Sequence, residues 1–233
     1  MNRQGAGRGR TVAVMQPYFF PYAGYFRLFA VADVFVILDC VQFPRRGRVH
    51  RCEVPGPDGG AEWLTLPLAR QRRDVLIRDL AFAPGARQEF DRRLARLAWI
   101  AAAAGPSAEP VSRFLDSPSG PVVDYLESGL RLAAELLQFE TEIVRSSTFD
   151  IDASLRGQDR IIAIVKAAGG TRYVNSPGGR DLYDAKRFAL QGIDLCFLRR
   201  YGGPRWTILQ ALMSAPPESI RAGIQSETIL EEA

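Results

Sequence analysis

The single histidine of this chain, His50, stands two residues before a cysteine, Cys52, in a segment that the sequence predicts as a β-strand. Side chains alternate between the two faces of a strand, so both would point the same way, with β-carbons roughly 6–7 Å apart. An imidazole at that range helps a thiol to become a thiolate, the nucleophilic form of cysteine. The spacing suggests covalent catalysis by Cys52 with His50 as its base. The alternative is that the two are chance neighbours in a packed strand.

A carboxylate, Glu62, could complete this pair if a β-hairpin forms. Residues 55–60 are Pro-Gly-Pro-Asp-Gly-Gly, a strong turn signal between two strand-like segments. A turn centred near Pro57 would place Glu62 opposite Cys52, where its carboxylate could orient the imidazole. A slip of one residue would place Trp63 there instead and turn Glu62 away. Glu62 is therefore a conditional third catalytic residue.

Cys40 is a second candidate for the nucleophile. It follows an apolar run over residues 34–38, which is typical of a strand buried on both faces of a parallel sheet. Sites of open α/β sheets gather at the carboxyl ends of such strands, and Cys40 stands at that end. The third cysteine, Cys196, lies inside an apolar strand and is predicted to be an inert core residue.

The composition is that of a globular protein with a full core. The chain has 233 residues, of which 47% are hydrophobic and 24% are charged, and it contains three cysteines. No cysteines have the spacing of a zinc site and there is no second histidine, so we expect no metal and a reducing, cytoplasmic location. No apolar run reaches the roughly 18 residues of a membrane-spanning helix, so we expect no membrane partner.

Arginine is concentrated in two short stretches, residues 45–51 and residues 70–73, although the net charge is only +4. Such clusters attract phosphate groups or an acidic protein surface, with an ordinary solvated face as the alternative. Aromatic side chains do not interleave with these arginines, so we expect no nucleic-acid partner.

The order of elements predicts an α/β fold: a mainly parallel sheet with flanking helices, an inserted β-hairpin and a helical segment. Strand, loop, helix and strand follow one another over residues 12–38, which is a βαβ unit with parallel pairing. Apolar residues at helical spacing dominate residues 85–140. We expect a single α/β domain over residues 11–225, a disordered tail over residues 1–10 and a second tail over residues 226–233.

Several motifs together resemble the WbqC-like family. Its opening signature is matched by VMQPYFFPYAGYF at residues 14–26. Further matches are Asp33, DCVQF at residues 39–43, GQDR at residues 157–160, YVNSPGG at residues 173–179, LYD at residues 182–184, Gly192-Ile193 and Phe197-Leu198. The resemblance covers nearly the whole predicted domain and implies a role in polysaccharide or natural-product biosynthesis.

The departures from the family pattern fall in the candidate catalytic segment. The family usually has tryptophan where Arg48 stands and often has aspartate where Cys40 stands. A polar pair such as Asn-x-Asn usually occupies the positions of His50 and Cys52, whereas Arg51 follows the pattern. In length and in this substitution, the chain resembles the amide-forming condensing enzymes of lincosamide antibiotic biosynthesis. Those enzymes join an amino acid, held as a thioester on a carrier protein, to the amine of a thiosugar through a Cys/His/Glu arrangement.

This resemblance implies an acyltransferase. Cys52 would attack the thioester on the phosphopantetheine arm of an acyl or peptidyl carrier protein, His50 would move the proton, and Glu62 would orient the imidazole. The acyl group would then pass to a small-molecule amine, with no ATP, no metal and no cofactor besides the partner's phosphopantetheine. The residues expected to bind the substrates are Gln16, Tyr18, Tyr22, Tyr25, Gln42, Arg51 and Asn175, of which Gln16 and Gln42 could hold the oxyanion. Those expected to dock the carrier are Arg70, Arg72 and Arg73.

An alternative function belongs to a different class. The protein would bind a sugar nucleotide or a phosphate group without covalent chemistry, as a binding protein or transferase of polysaccharide biosynthesis. The cysteines would then be inert, and the anion would be held by Arg45, Arg46, Arg51 and Arg180. A stable acyl adduct on a cysteine would favour acyl transfer, whereas stabilisation by a nucleotide without any adduct would favour binding.

Overall fold

The computed structural model describes residues 9–56, 58, 60–116, 118–204 and 206–233. Its strands are β1 (Thr11–Met15), β2 (Val34–Ile37), β3 (Arg51–Pro55), β4 (Ala61–Thr65), β5 (Glu142–Arg145), β6 (Arg172–Asn175), β7 (Asp194–Leu198) and β8 (Leu230–Glu232). Six of them form one sheet in the order β5-β2-β1-β6-β7-β8. All neighbours in this sheet are parallel except β7 and β8, which are antiparallel. The predicted α/β class is therefore confirmed.

Both faces of the central strands are covered. Ala13 and Phe35 pack into the core on one face of the sheet, whereas Val12, Val34 and Val36 pack into the core on the other. A strand with no face open to water needs apolar side chains at every position. This double burial explains why the run that becomes β2 is continuously apolar rather than alternating.

Helices connect the parallel strands and cover the two faces. They are α1 (Arg27–Val31), α2 (Ala86–Ala95), α3 (Ala98–Ala101), α4 (Ala108–Leu115), α5 (Val122–Leu136), α6 (Gly157–Ala167), α7 (Ala185–Ala189), α8 (Ile208–Ser214) and α9 (Pro217–Ser226). Helices α2 to α5 lie inside the segment predicted to be helical. Within the described part of the chain, no helix combines the length and the apolar character needed to cross a membrane.

The β3–β4 hairpin forms a separate two-stranded sheet, as the turn signal predicts. Its loop is closed by a hydrogen bond of 2.7 Å from the Gly56 N–H to the Gly60 carbonyl. With this loop, Cys52 pairs with Leu64, so both registers considered from the sequence are wrong. Pro57, the expected centre of the turn, lies outside the described residues.

The two chain ends differ from the predicted tails. The carbonyl of Arg10 accepts hydrogen bonds from the backbone N–H groups of Thr171 and Arg172, so Arg10 belongs to the fold. Residues 1–8 of the predicted tail lie outside the described residues. At the other end, the expected tail contains β8, which pairs with the backbone of β7. Without β8, β7 would present an unpaired sheet edge, which is why a short strand is favoured there.

Candidate functional site

The structure does not assemble the predicted pair of His50 and Cys52. Strand β3 begins at Arg51, so the alternation expected of a strand does not extend back to His50. Val49 is 0% exposed and Cys52 is 2% exposed, so the two-residue period of burial is broken between them. The Nδ1 atom of His50 is buried without a hydrogen-bond partner, so it forms no hydrogen bond with Cys52.

Cys52 faces the core of the protein. It packs in one apolar cluster with Val54 and Leu64. Burial raises the pKa of the Cys52 thiol to about 12, and the Thr207 hydroxyl and the charge of Arg48 offset only part of this effect. A thiol that is shielded from solvent and protonated at neutral pH is a poor nucleophile. This geometry does not support Cys52 as the attacking group.

His50 lines a cavity of about 530 Å³, together with Arg45 and Arg70, and Cys52 is not part of this lining. Its ring meets the ring of Phe43 edge-on, with centroids 5.0 Å apart. Burial, followed by the nearby charge of Arg51, lowers the pKa of His50 to about 4. The imidazole is therefore neutral at pH 7 and packs as part of the hairpin base.

Glu62 is engaged away from the imidazole. It pairs across the hairpin with Val54, and its carboxylate lies 3.7 Å from the guanidinium of Arg96, at the end of α2. The register that buries Cys52, Val54 and Leu64 on one face decides this position, since a shift of one residue would expose them. The predicted triad is thus not formed.

A cavity of about 600 Å³ opens at the carboxyl ends of β2 and β5. Cys40 lines it from the loop that follows β2, and Ser146 from the turn that follows β5. Arg156 and Arg160 line it from the start of α6. We call this the Cys40 cavity. It collects thiol, hydroxyl and guanidinium groups at the edge where sites of parallel sheets form.

The Cys40 thiol has two polar contacts in this cavity. Its Sγ lies 3.0 Å from Ser146 Oγ, and Arg160 Nη2 donates a hydrogen bond to it across 3.3 Å. Because Ser146 donates its own hydroxyl proton to Asp39, the thiol is the donor in its contact with Ser146. Cys40 is only partly buried, in contrast to Cys52, so a molecule in the cavity can reach its sulfur.

Asp39 joins the two loops that carry these groups. It is fully buried, and its carboxylate accepts hydrogen bonds from the Ser146 hydroxyl at 2.8 Å and the Ser147 hydroxyl at 2.5 Å. The Ser147 N–H donates a third, at 2.9 Å. A buried carboxylate is tolerated when its oxygens are satisfied in this way. The network holds Ser146 beside Cys40.

A second cavity, of about 270 Å³, lies at the neighbouring strands of the same edge. Met15 at the end of β1 and Ser176 after β6 line it, together with Tyr18, Tyr22 and Tyr25. We call it the tyrosine cavity. The chain leaves β1 toward β2 on one side, and β6 lies on the other, so this is the switch point of the sheet. Ligands of open α/β sheets bind in the crevice outside such a switch point.

The tyrosine cavity offers aromatic faces with polar tips. Tyr25 donates its hydroxyl proton to the Gln16 carbonyl at 2.7 Å, and its ring centroid lies 5.4 Å from that of Tyr18. Burial is the main cause that raises the pKa of Tyr18, so its phenol remains a hydrogen-bond donor at neutral pH. Arg48 also lines this cavity, and it donates a hydrogen bond of 2.5 Å to Glu53.

Comparison with known proteins identifies the family of this chain. The model of the WbqC-like protein family matches residues 16–211. The chain belongs to the WbqC-like protein family. It is also similar to the uncharacterized protein Rv1507c of Mycobacterium tuberculosis (strain ATCC 25618 / H37Rv), with 24% identity over 185 residues, which is 77% of this chain and 78% of the relative. No solved structure matches the chain. Membership in the family is compatible with a transferase.

Gln16 and Gln42, the residues expected to hold the oxyanion, make other contacts in this WbqC-like chain. Gln42 lines the Cys40 cavity, but its side-chain amide donates to the carbonyl of Arg73 at 2.7 Å. Gln16 contributes its backbone carbonyl to Tyr25 at the tyrosine cavity. Neither contact aims an amide N–H at Cys40, so the expected oxyanion role has no support from this geometry.

Arg51 and Asn175, which are also expected to bind substrate, lie in different parts of the fold. Arg51 lies on the hairpin, where it donates to the Gly47 carbonyl at 3.2 Å and its guanidinium stacks 4.2 Å from the ring centroid of Trp63. Asn175 is buried at the end of β6, and its Oδ1 accepts a hydrogen bond of 2.7 Å from the Ser176 N–H. Asn175 thus shapes the backbone beside the tyrosine cavity, whereas Arg51 supports the hairpin.

The arginines expected to dock a carrier protein are all exposed: Arg70, Arg72 and Arg73. Arg72 forms an ion pair of 3.1 Å with Asp74, which neutralises part of the local charge. The cluster therefore remains available at the surface, and its role stays a prediction.

The arginines proposed to hold a phosphate in the alternative function do not converge. Arg45 donates to the Gln71 carbonyl at 2.7 Å, and Arg180 forms an ion pair of 2.5 Å with Glu231. The carbonyl of Arg46 accepts a hydrogen bond of 2.7 Å from Arg51. Arg180 belongs to the turn after β6, whereas the other three lie in the stretch of residues 45–51, where Arg45 and Arg51 donate to backbone carbonyls.

The patterns in the sequence did not single out Asp39, Ser146, Arg156 and Arg160 as site residues. Asp39 lies within the DCVQF motif and Arg160 within the GQDR motif, so these two motifs could have indicated both as site residues. Ser146 directly follows β5, and a polar residue after a parallel strand is a further signal of a site.

Neither cavity has the ligands of a metal centre. Throughout the described residues, no group of three or more His, Cys, Asp or Glu side chains is placed to hold a metal ion. Guanidinium, hydroxyl and thiol groups instead suit a substrate with a carbonyl or an anionic group.

Proposed function

We propose that this WbqC-like protein is an acyltransferase that uses Cys40 as its nucleophile and forms an amide. The observation that carries the proposal is the contact of Arg160 Nη2 with Cys40 Sγ, at 3.3 Å, in an open cavity at the edge of the sheet. A guanidinium beside the sulfur faces the negative charge that the sulfur carries when it attacks a carbonyl carbon or leaves one.

The reaction divides into two acyl transfers. The Cys40 thiolate attacks the carbonyl carbon of a thioester, the bond to the donor sulfur breaks, and the donor leaves as a thiol with the proton that Cys40 gave up. An amine then attacks the acyl-cysteine, the C–N bond forms, and Cys40 leaves as the thiolate while the amine proton passes to solvent. Arg160 faces the charge on the sulfur in both steps, and neither step consumes ATP.

The tyrosine cavity is the proposed place of the amine acceptor. The backbone N–H of Leu38 donates to the Met15 carbonyl at 2.8 Å, so the ends of β1 and β2, which carry the two cavities, are in direct contact. Tyrosine faces with hydroxyl tips suit a ring that carries hydroxyl groups, which agrees with the amino thiosugar implied by the resemblance.

The proposed donor is an acyl group on the phosphopantetheine arm of a carrier protein. Such carriers are generally acidic, and the exposed cluster of Arg70, Arg72 and Arg73 would attract one electrostatically. More specifically, we propose that the acyl group is an amino acid and that the product is of the lincosamide type.

Binding without covalent chemistry is the second candidate function. The observation that favours it is that Arg156 and Arg160 line the Cys40 cavity and, among the described residues, form no ion pair with a carboxylate. A phosphate or sugar nucleotide held there would need no reactive cysteine.

Mass spectrometry of the intact protein separates the two candidates. We expect incubation with an aminoacyl thioester of N-acetylcysteamine to add one acyl group, located on Cys40 by peptide mapping. Cys40→Ala abolishes the adduct, whereas Cys196→Ala, a matched change at a buried cysteine, retains it. An adduct that survives in Cys40→Ala, or no adduct in the wild type, would overturn the covalent proposal.

A further inference from the structure

Two arginine side chains that line the Cys40 cavity form no ion pair with any carboxylate among the described residues. Arg156 donates to the backbone carbonyl of Leu155 at 2.8 Å, and Arg160 donates to the same carbonyl at 3.2 Å. The Nε atom of Arg160 is buried without any hydrogen-bond partner. Cations held in a concave surface by neutral acceptors alone are ready to receive an anion.

Neighbouring arginines show the contrast. Arg145, at the end of β5, forms an ion pair of 2.7 Å with Asp124, and Arg187, at α7, forms one of 2.5 Å with Asp159. Both point to partners outside the lining of the Cys40 cavity. Arg156 and Arg160 differ from these two neighbours in having no carboxylate partner among the described residues.

Neither of the two acidic groups beside the cavity forms an ion pair with these arginines. The pKa of the exposed Asp152 is lowered mainly by hydrogen bonds from Ser154 and least by the charge of Arg156, so this attraction is weak and screened by solvent. Asp39 is fully buried, and its carboxylate is occupied by hydrogen bonds from Ser146 at 2.8 Å and from Ser147 at 2.5 Å. A third cation, Arg78, also lines the cavity and is exposed. Its closest carboxylate is Asp79 at 3.8 Å, a weak pair on the surface.

We propose that the Cys40 cavity contains an oxyanion subsite, formed by Arg156 and Arg160 with Arg78 at its rim, which takes a carboxylate or phosphoryl group of the substrate. Because Arg160 is only 3.3 Å from Cys40 Sγ, the anion lies close to the reacting carbon. The phosphate of a phosphopantetheine arm is separated from its thiol by the length of the arm, so it cannot be this anion while the thioester is at Cys40.

The anion therefore belongs to the transferred acyl group or to a compound bound beside it. The assignment to the acyl group rests on the proposed function, whereas the subsite itself is tested without any transfer reaction. Alkylation of Cys40 by iodoacetate and by iodoacetamide provides that test. In both reactions the thiolate attacks the CH₂ carbon, a C–S bond forms and iodide leaves, but only iodoacetate carries a carboxylate.

The measured quantity is the ratio of the iodoacetate rate to the iodoacetamide rate at Cys40, from peptide mass spectrometry. We expect this ratio in the folded protein to exceed the ratio in the urea-unfolded protein by about tenfold or more, as one charge-assisted contact provides. Arg156→Gln and Arg160→Gln should return it toward the unfolded value. Arg113→Gln, an exposed arginine paired with Glu109 on α4, is the matched control and should leave it unchanged.

The ratio separates anion binding from changes in thiol reactivity, because a variant that only slows the sulfur slows both reagents equally. Arg156 is exposed and bonds to backbone carbonyls, so Arg156→Gln tests the subsite even if Arg160→Gln fails to fold. Protection by inorganic phosphate but not by succinate assigns a phosphoryl group, and the reverse assigns a carboxylate. A folded-state ratio equal to the unfolded one, or a raised ratio that survives in Arg156→Gln and in folded Arg160→Gln, would overturn the proposal.

Discussion

Arg160 Nη2 donates a hydrogen bond to Cys40 Sγ across 3.3 Å, between residues that are 120 positions apart in the chain. The contact joins the loop after β2 to α6 and places the positive charge of the guanidinium beside the sulfur. The reactivity of this thiol is therefore a property of the assembled fold and not of the residues that flank it.

Replacing Arg160 tests that dependence. Arg160→Gln keeps a donor of similar shape but removes the charge, so we expect alkylation of Cys40 by the neutral reagent iodoacetamide to slow about tenfold at pH 7. Arg160→Lys should recover part of the rate, since the charge returns without the planar fork. Equal rates in all three proteins would show that the guanidinium does not activate the sulfur.

His50 should influence the pH dependence of stability rather than catalysis. Its folded-state pKa is about 4 against 6.5 for the unfolded chain, so the unfolded chain binds the proton more readily between these values. The stability that this neutral imidazole allows is present above pH 6.5 and is lost as the pH falls toward 4. In a pH series of thermal unfolding, His50→Gln should lose less stability than the wild type over this window. Parallel stability curves for the two proteins would contradict this prediction. Formation of the acyl adduct should be the same in His50→Gln as in the wild type.

Cys52 should contribute to stability and not to reactivity. Because it is 2% exposed and packs with Val54 and Leu64, Cys52→Ala leaves a small void that should cost about 1–2 kcal/mol in the free energy of unfolding. Urea denaturation measures this cost, and the acyl adduct should form as in the wild type. Loss of the adduct in a protein that retains its fold would return the nucleophile to Cys52.

Ser146 should support both the fold and the nucleophile. Ser146→Ala removes the donor to Asp39 at 2.8 Å and the neighbour of the Cys40 thiol at 3.0 Å. A buried carboxylate that loses one donor should cost about 1–3 kcal/mol of stability. Ser214→Ala, which removes an exposed hydroxyl bonded within α8, is the control and should cost less than about 0.5 kcal/mol. Similar costs for the two variants would show that Asp39 does not depend on Ser146.

Charge reversal at Arg70 and Arg73 should weaken the use of a carrier-bound donor and leave a small soluble thioester unaffected. Both side chains are exposed on one loop, and docking by such charges acts mainly on the association rate. The second-order rate with each donor should differ most at low salt, since the screening length is about 8 Å at physiological ionic strength. Arg200→Glu, an exposed arginine on another loop, serves as the control. Equal losses with both donors would place these arginines in the fold or the cavity instead.

Local patterns were sufficient for the central strand and the hairpin, although not for β8, which lies in an expected tail. The apolar run at residues 34–38 predicts β2, and double burial in the centre of the sheet explains that run. The turn signal at residues 55–60 predicts the hairpin. The family motifs also predict membership, since they are dense and specific along the chain. These features depend on residues that are neighbours in sequence, so a pattern of spacing is enough to recognise them.

Tertiary packing decided which side chains meet. The spacing of His50 and Cys52 fits a regular strand. In the structure, however, Cys52 is buried in the core, whereas the imidazole of His50 lines a separate cavity. The register of the hairpin followed the burial of Leu64 opposite Cys52, which no turn signal specifies to a single residue. Cys40 became the reachable thiol because the ends of β2, β5 and α6 converge. Convergence of distant elements is set by how whole faces pack, and local periodicity carries no information about it.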